Sequence, residues 1–253
     1  MSRCWRVRRE ERGEQHMINV AVFGANGGIG NAVVKAYLAR EDVAAVYAFS
    51  RTEVAIDDER LHYIYVDVLN DVSLQIAIES LDEVKLDRMF IALGTLHDEQ
   101  RMPEKQLTDI QLTNLESVFA INTFAPALIV KALKPVINKS AANTIGILSA
   151  RVGSISDNRL GGWYAYRASK AALNMFIKTV SIEFARSHKR TTIVGLHPGT
   201  VDTQLSKPFQ GRLKEGQLFT PEYSADKLVA VMEQATPEQS GLCLAYDGSA
   251  IPA

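Results

Sequence analysis

From Met17 onward the chain repeats one pattern, a short apolar run followed by a longer amphipathic stretch, and few architectures accommodate that repeat. Parallel strands joined by crossover helices generate it, because each strand is covered on both faces and each helix on one. INVAVFG reads as the first strand and GGIGNAVVKAYLAR as its helix. Strands follow at 43 to 50, 61 to 68 and 87 to 94. A long helix is predicted over 111 to 137, bent at Pro126, which lacks the N–H a helix interior needs. NTIGILS (143 to 149) is a fifth strand, a helix from about Gly162 to His188 comes next, and 191 to 199 is a sixth strand. A helix over 224 to 235 and a strand over 241 to 248 complete the series. Seven strands alternating with helices predict an α/β, doubly wound parallel sheet with helices on both faces, whose ligand crevice opens at the carboxyl ends of its strands. No repeat, linker or low-complexity tract divides the region, so 17 to 253 reads as one domain.

Composition agrees with a packed enzyme-sized globule: 47% of the 253 residues are apolar and 23% charged. The 28 basic residues are matched by 29 acidic ones, a net charge of −1, which gives no electrostatic case for nucleic acid or an anionic membrane. No apolar run is read as reaching the ~18 residues of a membrane span, and Cys4 and Cys243 have neither disulfide-framework nor metal-ligand spacing. A small-molecule partner and a cytoplasmic setting are expected. The first sixteen residues, MSRCWRVRREERGEQH, lack apolar periodicity and are read as an extension outside the fold.

Between the first strand and its helix stands Gly24-Ala25-Asn26-Gly27-Gly28-Ile29-Gly30. Glycines there let the backbone approach a pyrophosphate, and the helix behind them supplies free N–H groups and the positive end of its dipole. At the end of the second strand, Ser50-Arg51 replaces the carboxylate that would hold the adenosine ribose of NAD. A guanidinium suits the additional phosphate of NADP, so NADP(H) is favoured.

Tyr166 and Lys170 lie four residues apart on a predicted helix and share a face. A free phenol, with a pKa of ~10, is a poor base at neutral pH, and a neighbouring ammonium makes it a better one. His197 precedes Pro198-Gly199 on an apolar strand and reads as a packed histidine with no catalytic part. The stretch from Gln204 to Pro221, with Phe209 and Phe219 in a polar setting, suits a lid over substrate or an ordinary surface loop.

The glycine spacing Gly24, Gly28, Gly30 together with Tyr166-x-x-x-Lys170 resembles the short-chain dehydrogenase/reductase family, and the resemblance extends over nearly all of 17 to 248. It implies a Rossmann fold and an oxidoreductase that moves hydride between a nicotinamide cofactor and a carbonyl or alcohol. It implies cofactor contacts at Gly24, Asn26, Gly28, Ile29 and Gly30, at Asp67 and Val68 beside adenine, at Leu93 and Gly94, and at Pro198, Gly199, Val201 and Thr203. Tyr166 would act as acid or base, Lys170 would hold the nicotinamide ribose, and Asn122 would support a water beside the lysine. The sequence departs from the family at Phe23 and Ala92. It departs again at Ala150, where the catalytic serine hydroxyl is expected. Ser149 is the favoured substitute, provided the strand end turns, and Ser154 is the other hydroxyl at hand. The run GSISDNRLGGWYAYRASKAALN resembles sniffer-type carbonyl reductases and the C-factor (C-signal) branch. Two functions follow as expectations: NADPH-dependent reduction of an aldehyde, ketone or quinone, or a signalling protein that binds cofactor and turns over little. A homodimer or homotetramer built on the two long helices is implied in the same way.

Overall fold

The computed structural model describes residues 16–253; the reading of residues 1–16 as an extension outside the fold lies outside the described residues except at His16, whose Nε2 is 3.1 Å from Asp87 Oδ1. The chain runs β1 (Ile18–Phe23), α1 (Gly28–Leu38), β2 (Val43–Ser50), β3 (Leu61–Tyr65), α2 (Asp71–Glu79), β4 (Arg88–Ile91), α3 (Leu112–Phe119), α4 (Ala125–Leu133), β5 (Asn143–Leu148), α5 (Tyr164–Ser187) and β6 (Thr191–His197). It continues through the short β7 (Thr200–Val201) and β8 (Leu218–Phe219), α6 (Pro221–Gln234), β9 (Cys243–Ala245) and β10 (Ala250–Ile251).

One sheet carries the molecule, in the order β10-β9-β6-β5-β4-β1-β2-β3. Every pairing is parallel save the last, where β10 returns antiparallel against β9. The sheet therefore has eight strands and not the seven expected: β10 is two residues long, too short to show alternation, and pairs because the turn through Gly248 (φ 82) brings it back. The order reverses between β4 and β2 on either side of β1, which opens the crevice at the carboxyl end of β1.

Alternation of period two divides the strand side chains between two cores. Val20 and Val22 face α1 and α6, whereas Ala21 and Phe23 face the layer of α2, α4 and α5. Phe23, one of the departures from the family pattern, stacks on Phe49 of β2 with ring centroids 4.3 Å apart. Both rings are fully buried, and each contributes roughly 1.5–3 kcal/mol of apolar burial. On the opposite face Glu233 of α6 receives Arg40 at 2.8 Å and Arg88 at 2.8 Å, joining α6 to the end of α1 and to β4.

The long helix before β5 is continuous from Leu112 to Leu133 but contains a π turn at Ala120–Phe124, closed by the Ala125 N–H to the Ala120 carbonyl. Pro126 explains it. The proline has no N–H for the carbonyl of Asn122 four residues earlier, and its ring crowds that carbonyl, so the ladder widens by one residue. The expected bend thus takes the form of a π turn just ahead of the proline. This helix also corrects the reading that no apolar stretch is of membrane-spanning length. By length and mean hydropathy it qualifies, with a third of its most apolar window buried against the rest of the fold.

Candidate active site

The carboxyl edge of the sheet gathers segments far apart in sequence. Gly24 has φ 76, and a side chain there would lie 2.6 Å from the Ala92 carbonyl, so the β1–α1 turn and the end of β4 touch through backbone alone. A side chain at Gly30 would lie 2.1 Å from the Gly24 carbonyl, which only glycine permits. Asn26 donates to the Thr52 hydroxyl at 2.6 Å, tying the turn to the segment holding Arg51, whose guanidinium is exposed. The first N–H groups of α1, at Gly28, Ile29 and Gly30, have no partner within the helix. Across from them, the methyl of Thr203 would be 2.8 Å from a side chain at Gly28, so the loop after β6 closes over the turn. Pro198 and Gly199 begin that loop; Gly199 has φ 78 and packs under Phe219, while Val201 pairs with Phe219 in a two-stranded ladder. At the far side Asp67 follows β3 and accepts from the Leu69 N–H at 3.1 Å, with Val68 packed on the core behind it. These are the residues expected to hold a nucleotide, and they stand in the loops at the carboxyl edge of the sheet.

Tyr166 and Lys170 lie at the head of α5. Lys170 is only 2% exposed and donates to the Leu148 carbonyl at 2.9 Å. Burial pulls its pKa down to about 8. Its Nζ is 5.9 Å from the centroid of the Tyr166 ring. Burial pushes the Tyr166 phenol up to about 12, so the hydroxyl is protonated at neutral pH and makes no hydrogen bond to the described residues. A side chain at Gly94 would be 3.6 Å from the lysine Nζ and 3.8 Å from Asn122 Oδ1; this exposed glycine leaves open the space where a ribose would meet the lysine. Leu93, beside it, packs on the core.

The π turn has a purpose visible in its contacts. Asn122 is fully buried; its Oδ1 accepts from the Thr95 N–H at 2.8 Å, and its Nδ2 donates to the Thr95 carbonyl at 2.9 Å and to Ser169 Oγ at 3.0 Å. Thr123 donates to the Ser169 carbonyl at 2.8 Å. One widened turn therefore fixes both the strand end carrying Gly94 and the helix carrying Tyr166 and Lys170.

The two serines offered by the sequence are engaged elsewhere. Ser149 donates to Asn174 Oδ1 at 2.6 Å, two helical turns or ~12 Å along α5 from Tyr166. The backbone at Ala150 stays extended, φ −156 and ψ 148, so Ser149 and Ala150 remain on opposite faces; the turn that would have redirected Ser149 is absent. Ser154 accepts from the Asp157 N–H at 3.1 Å within its own loop. Neither serine is hydrogen-bonded to Tyr166. His197 is held down to about 4 by burial and then by the nearby Arg151, which keeps its ring neutral.

Other groups around Tyr166 escaped the sequence reading. A cleft beside it is lined by Thr95, His97, Arg101, Glu104 and Asn114 among others. Three successive residues with positive φ, Gly161, Gly162 and Trp163, lead into α5. Trp163 at φ 53 is held by its N–H to the Glu104 carbonyl at 2.6 Å, and the buried Glu104 carboxylate accepts from the Ala165 N–H at 3.2 Å. The Trp163 ring packs edge-on against Tyr166 and Phe209, and Phe209 against His97, which contacts the Gln204 and Leu205 carbonyls. The stretch from Gln204 thus packs against His97 and Trp163 beside the cleft. The pair Gly161-Gly162 was the signal available for the strained entry to α5; His97 and Glu104 stand in an aperiodic segment that gave none.

Comparison with known proteins agrees with this geometry. Residues 19–213 match the short chain dehydrogenase family. A 1-hydroxy-2-glutathionyl-2-methyl-3-butene dehydrogenase of Rhodococcus sp. is 34% identical over 238 residues, covering 92% of this chain and 98% of that one. The C-signal protein of Myxococcus xanthus is 32% identical over 146 residues, 58% of this chain and 82% of that one. Among solved structures, an NADPH-bound carbonyl reductase from chicken fatty liver superposes with TM-score 0.79 at 26% identity, covering 94% of this chain and all of that one. The Sniffer carbonyl reductase of D. melanogaster shares the fold at TM-score 0.81 and 24% identity, over 94% of this chain and all of that one. With the glycine turn, the helical Tyr-Lys pair and the extent of these matches in agreement, the chain belongs to the short-chain dehydrogenase/reductase family of oxidoreductases.

Proposed function

We propose that the protein reduces the carbonyl of a small polar aldehyde, ketone or quinone, with NADPH as the hydride source and Tyr166 as the proton donor. The observation that carries this reading is the protonated Tyr166 phenol held over the buried Lys170 at the mouth of the nucleotide groove. The residues present fit a nicotinamide dinucleotide: free helix N–H groups at Gly28 to Gly30 for the phosphates, and the open face of Gly94 beside Lys170 for a ribose. When bound, that cofactor supplies the hydride. Lys170 holds positive charge at neutral pH beside the phenol, which favours release of the Tyr166 proton to a developing alkoxide. Trp163, Phe209 and His97 form a chain of ring contacts beside Tyr166 that gives a substrate an apolar wall. Arg51 stands exposed at the end of β2, where a guanidinium can pair with a phosphate on the ribose, and this favours NADPH over NADH.

A second reading rests on Ala150. With no serine hydroxyl there and Ser149 given to Asn174, carbonyl polarisation falls to Tyr166, and a signalling protein of low turnover, like the C-signal relative, is the alternative. A screen of carbonyl compounds with purified protein separates the two. Turnover with NADPH, reduced ~10²-fold or more in Tyr166→Phe with NADPH affinity unchanged, supports the reductase. Cofactor binding with no turnover on any carbonyl supports the alternative, and tighter binding of NADH than NADPH would remove the role given to Arg51.

A further inference from the structure

The opposite end of the molecule carries a second site. At the amino-terminal edge of the sheet a groove of about 280 Å³ is lined by Lys139, from the loop before β5, and by the run 186 to 191 where α5 gives way to β6. That run contains Arg186, Lys189 and Arg190, and among the described residues no aspartate or glutamate lines the groove. Among the described residues none of these four cations forms a salt bridge, although Arg190 donates to the Ser140 carbonyl at 2.7 Å. A neighbouring carboxylate, Glu183, is already neutralised by Lys134 at 2.6 Å. The carbonyl end of α5 offers an opposing charge of only ~0.5, so most of four positive charges in a chain of net charge −1 remain uncompensated at one spot.

An independent observation marks the same spot. Four buried side-chain polar atoms lack a partner among the described residues; two of them, His188 Nε2 and Thr191 Oγ1, belong to residues lining the groove, and a third, the acceptor Asn143 Oδ1, stands on the strand position paired with Thr191. These residues are 3%, 8% and 2% exposed. Asn143 and Thr191 face one another across β5 and β6, and the Thr191 N–H bonds to the His188 carbonyl at 2.8 Å, so the three stand on adjoining backbone. Buried polar groups are ordinarily paired, and both His188 and Thr191 line the groove. The Ser187 hydroxyl lies 2.9 Å from His188 Nδ1, and the tautomer in which it donates to that nitrogen carries the ring proton on Nε2, a donor toward the groove.

We propose that this groove is an anion site for a phosphate monoester dianion, held by Arg186, Lys189 and Lys139 with the Thr191 hydroxyl and the His188 ring beneath, remote from the nucleotide groove. Its volume lies near the lower end of those of small-molecule pockets, which suits a phosphate on a small substituent or a phosphate headgroup.

Titration of the full chain with inorganic phosphate, followed calorimetrically against potassium chloride at matched ionic strength, tests it. Saturable binding is expected in the wild type, at least tenfold weaker in the Arg186→Gln/Lys189→Gln double variant and unchanged in Arg51→Gln, which removes the phosphate-pairing group of the other site. Both changed residues are exposed and far from Tyr166, so thermal midpoint and basal activity should be retained. Sedimentation with phosphatidylcholine vesicles containing phosphatidic acid distinguishes the source: vesicle capture lost in the double variant assigns the phosphate to a lipid headgroup, and binding of free phosphate alone assigns it to a soluble compound. Equal affinity in the double variant and the wild type, loss in Arg51→Gln alone, or an effect reproduced by chloride would overturn the proposal.

Discussion

Lys170 is costly to the fold, and the proposed reaction needs its charge. Burial lowers its pKa from 10.5 to about 8. Between those values the unfolded chain binds a proton that the folded chain has released, so stability rises with pH across the window, and below about pH 8 the full cost of the buried ammonium is felt. That cost is on the order of 3 kcal/mol, offset by ~1 kcal/mol for the bond to the Leu148 carbonyl. Lys170→Met should therefore be inactive yet more stable near pH 7, by several degrees in Tm, with the gain shrinking as pH approaches 10; equal or lower stability at pH 7 would contradict the linkage. Ser149 leads to a different expectation. Because its hydroxyl is held by Asn174, Ser149→Ala should lower kcat less than tenfold, whereas loss of a true oxyanion donor costs ~10²–10³. Steady-state kinetics on one accepted carbonyl would decide.

Among the elements, the β1–α1 turn and the widened helix turn are where backbone shape creates the site. At Gly30 the space a Cβ would fill is taken by backbone, the Gly24 carbonyl oxygen 2.1 Å away and the Ala25 Cα 3.2 Å away, and backbone cannot yield as a flexible side chain can. Gly30→Ala should abolish NADPH binding and lower the unfolding midpoint, measured by cofactor fluorescence and thermal denaturation. A variant that binds normally would show that the turn is not the nucleotide cradle. The strand-helix alternation, the glycine turn and the Tyr-Lys spacing were all legible in the sequence because each is a local pattern of period two, period 3.6 or fixed offset. The helix α2 passed unread: nine residues with only Leu74, Ala77 and Ile78 buried make a weak stripe. The π turn announced itself as a proline but not in its form, since a proline specifies a fault in the ladder while the packing against Thr95 and Ser169 selects how it is repaired.

For the molecule as a whole, the two long helices leave apolar residues uncovered: Phe124 at 53% exposure, Met175 at 67% and Ile182 at 52%. Surfaces of this kind mark association, in keeping with the dimer or tetramer the family resemblance implies. Light scattering should give a mass of two or four chains, and Met175→Lys with Ile182→Lys should reduce it while far-ultraviolet circular dichroism stays unchanged; a monomeric wild type would refute this. The joint between α6, α1 and β4 at Glu233 also belongs to this scale, since Arg40, Arg88 and Glu233 are brought together only by the closed fold.

By itself the sequence determined the strand and helix pattern, the place of the crevice and the identity of the phenol and ammonium, because periodicity and spacing along the chain encode which faces are buried and which side chains share a turn. Only the tertiary structure decided that Ser149 turns to Asn174, that His97, Glu104 and Trp163 close around Tyr166, and that four cations converge over Asn143, His188 and Thr191. Those contacts join residues tens of positions apart through loops without periodicity, and their partners are set by how the elements pack, which no local pattern records.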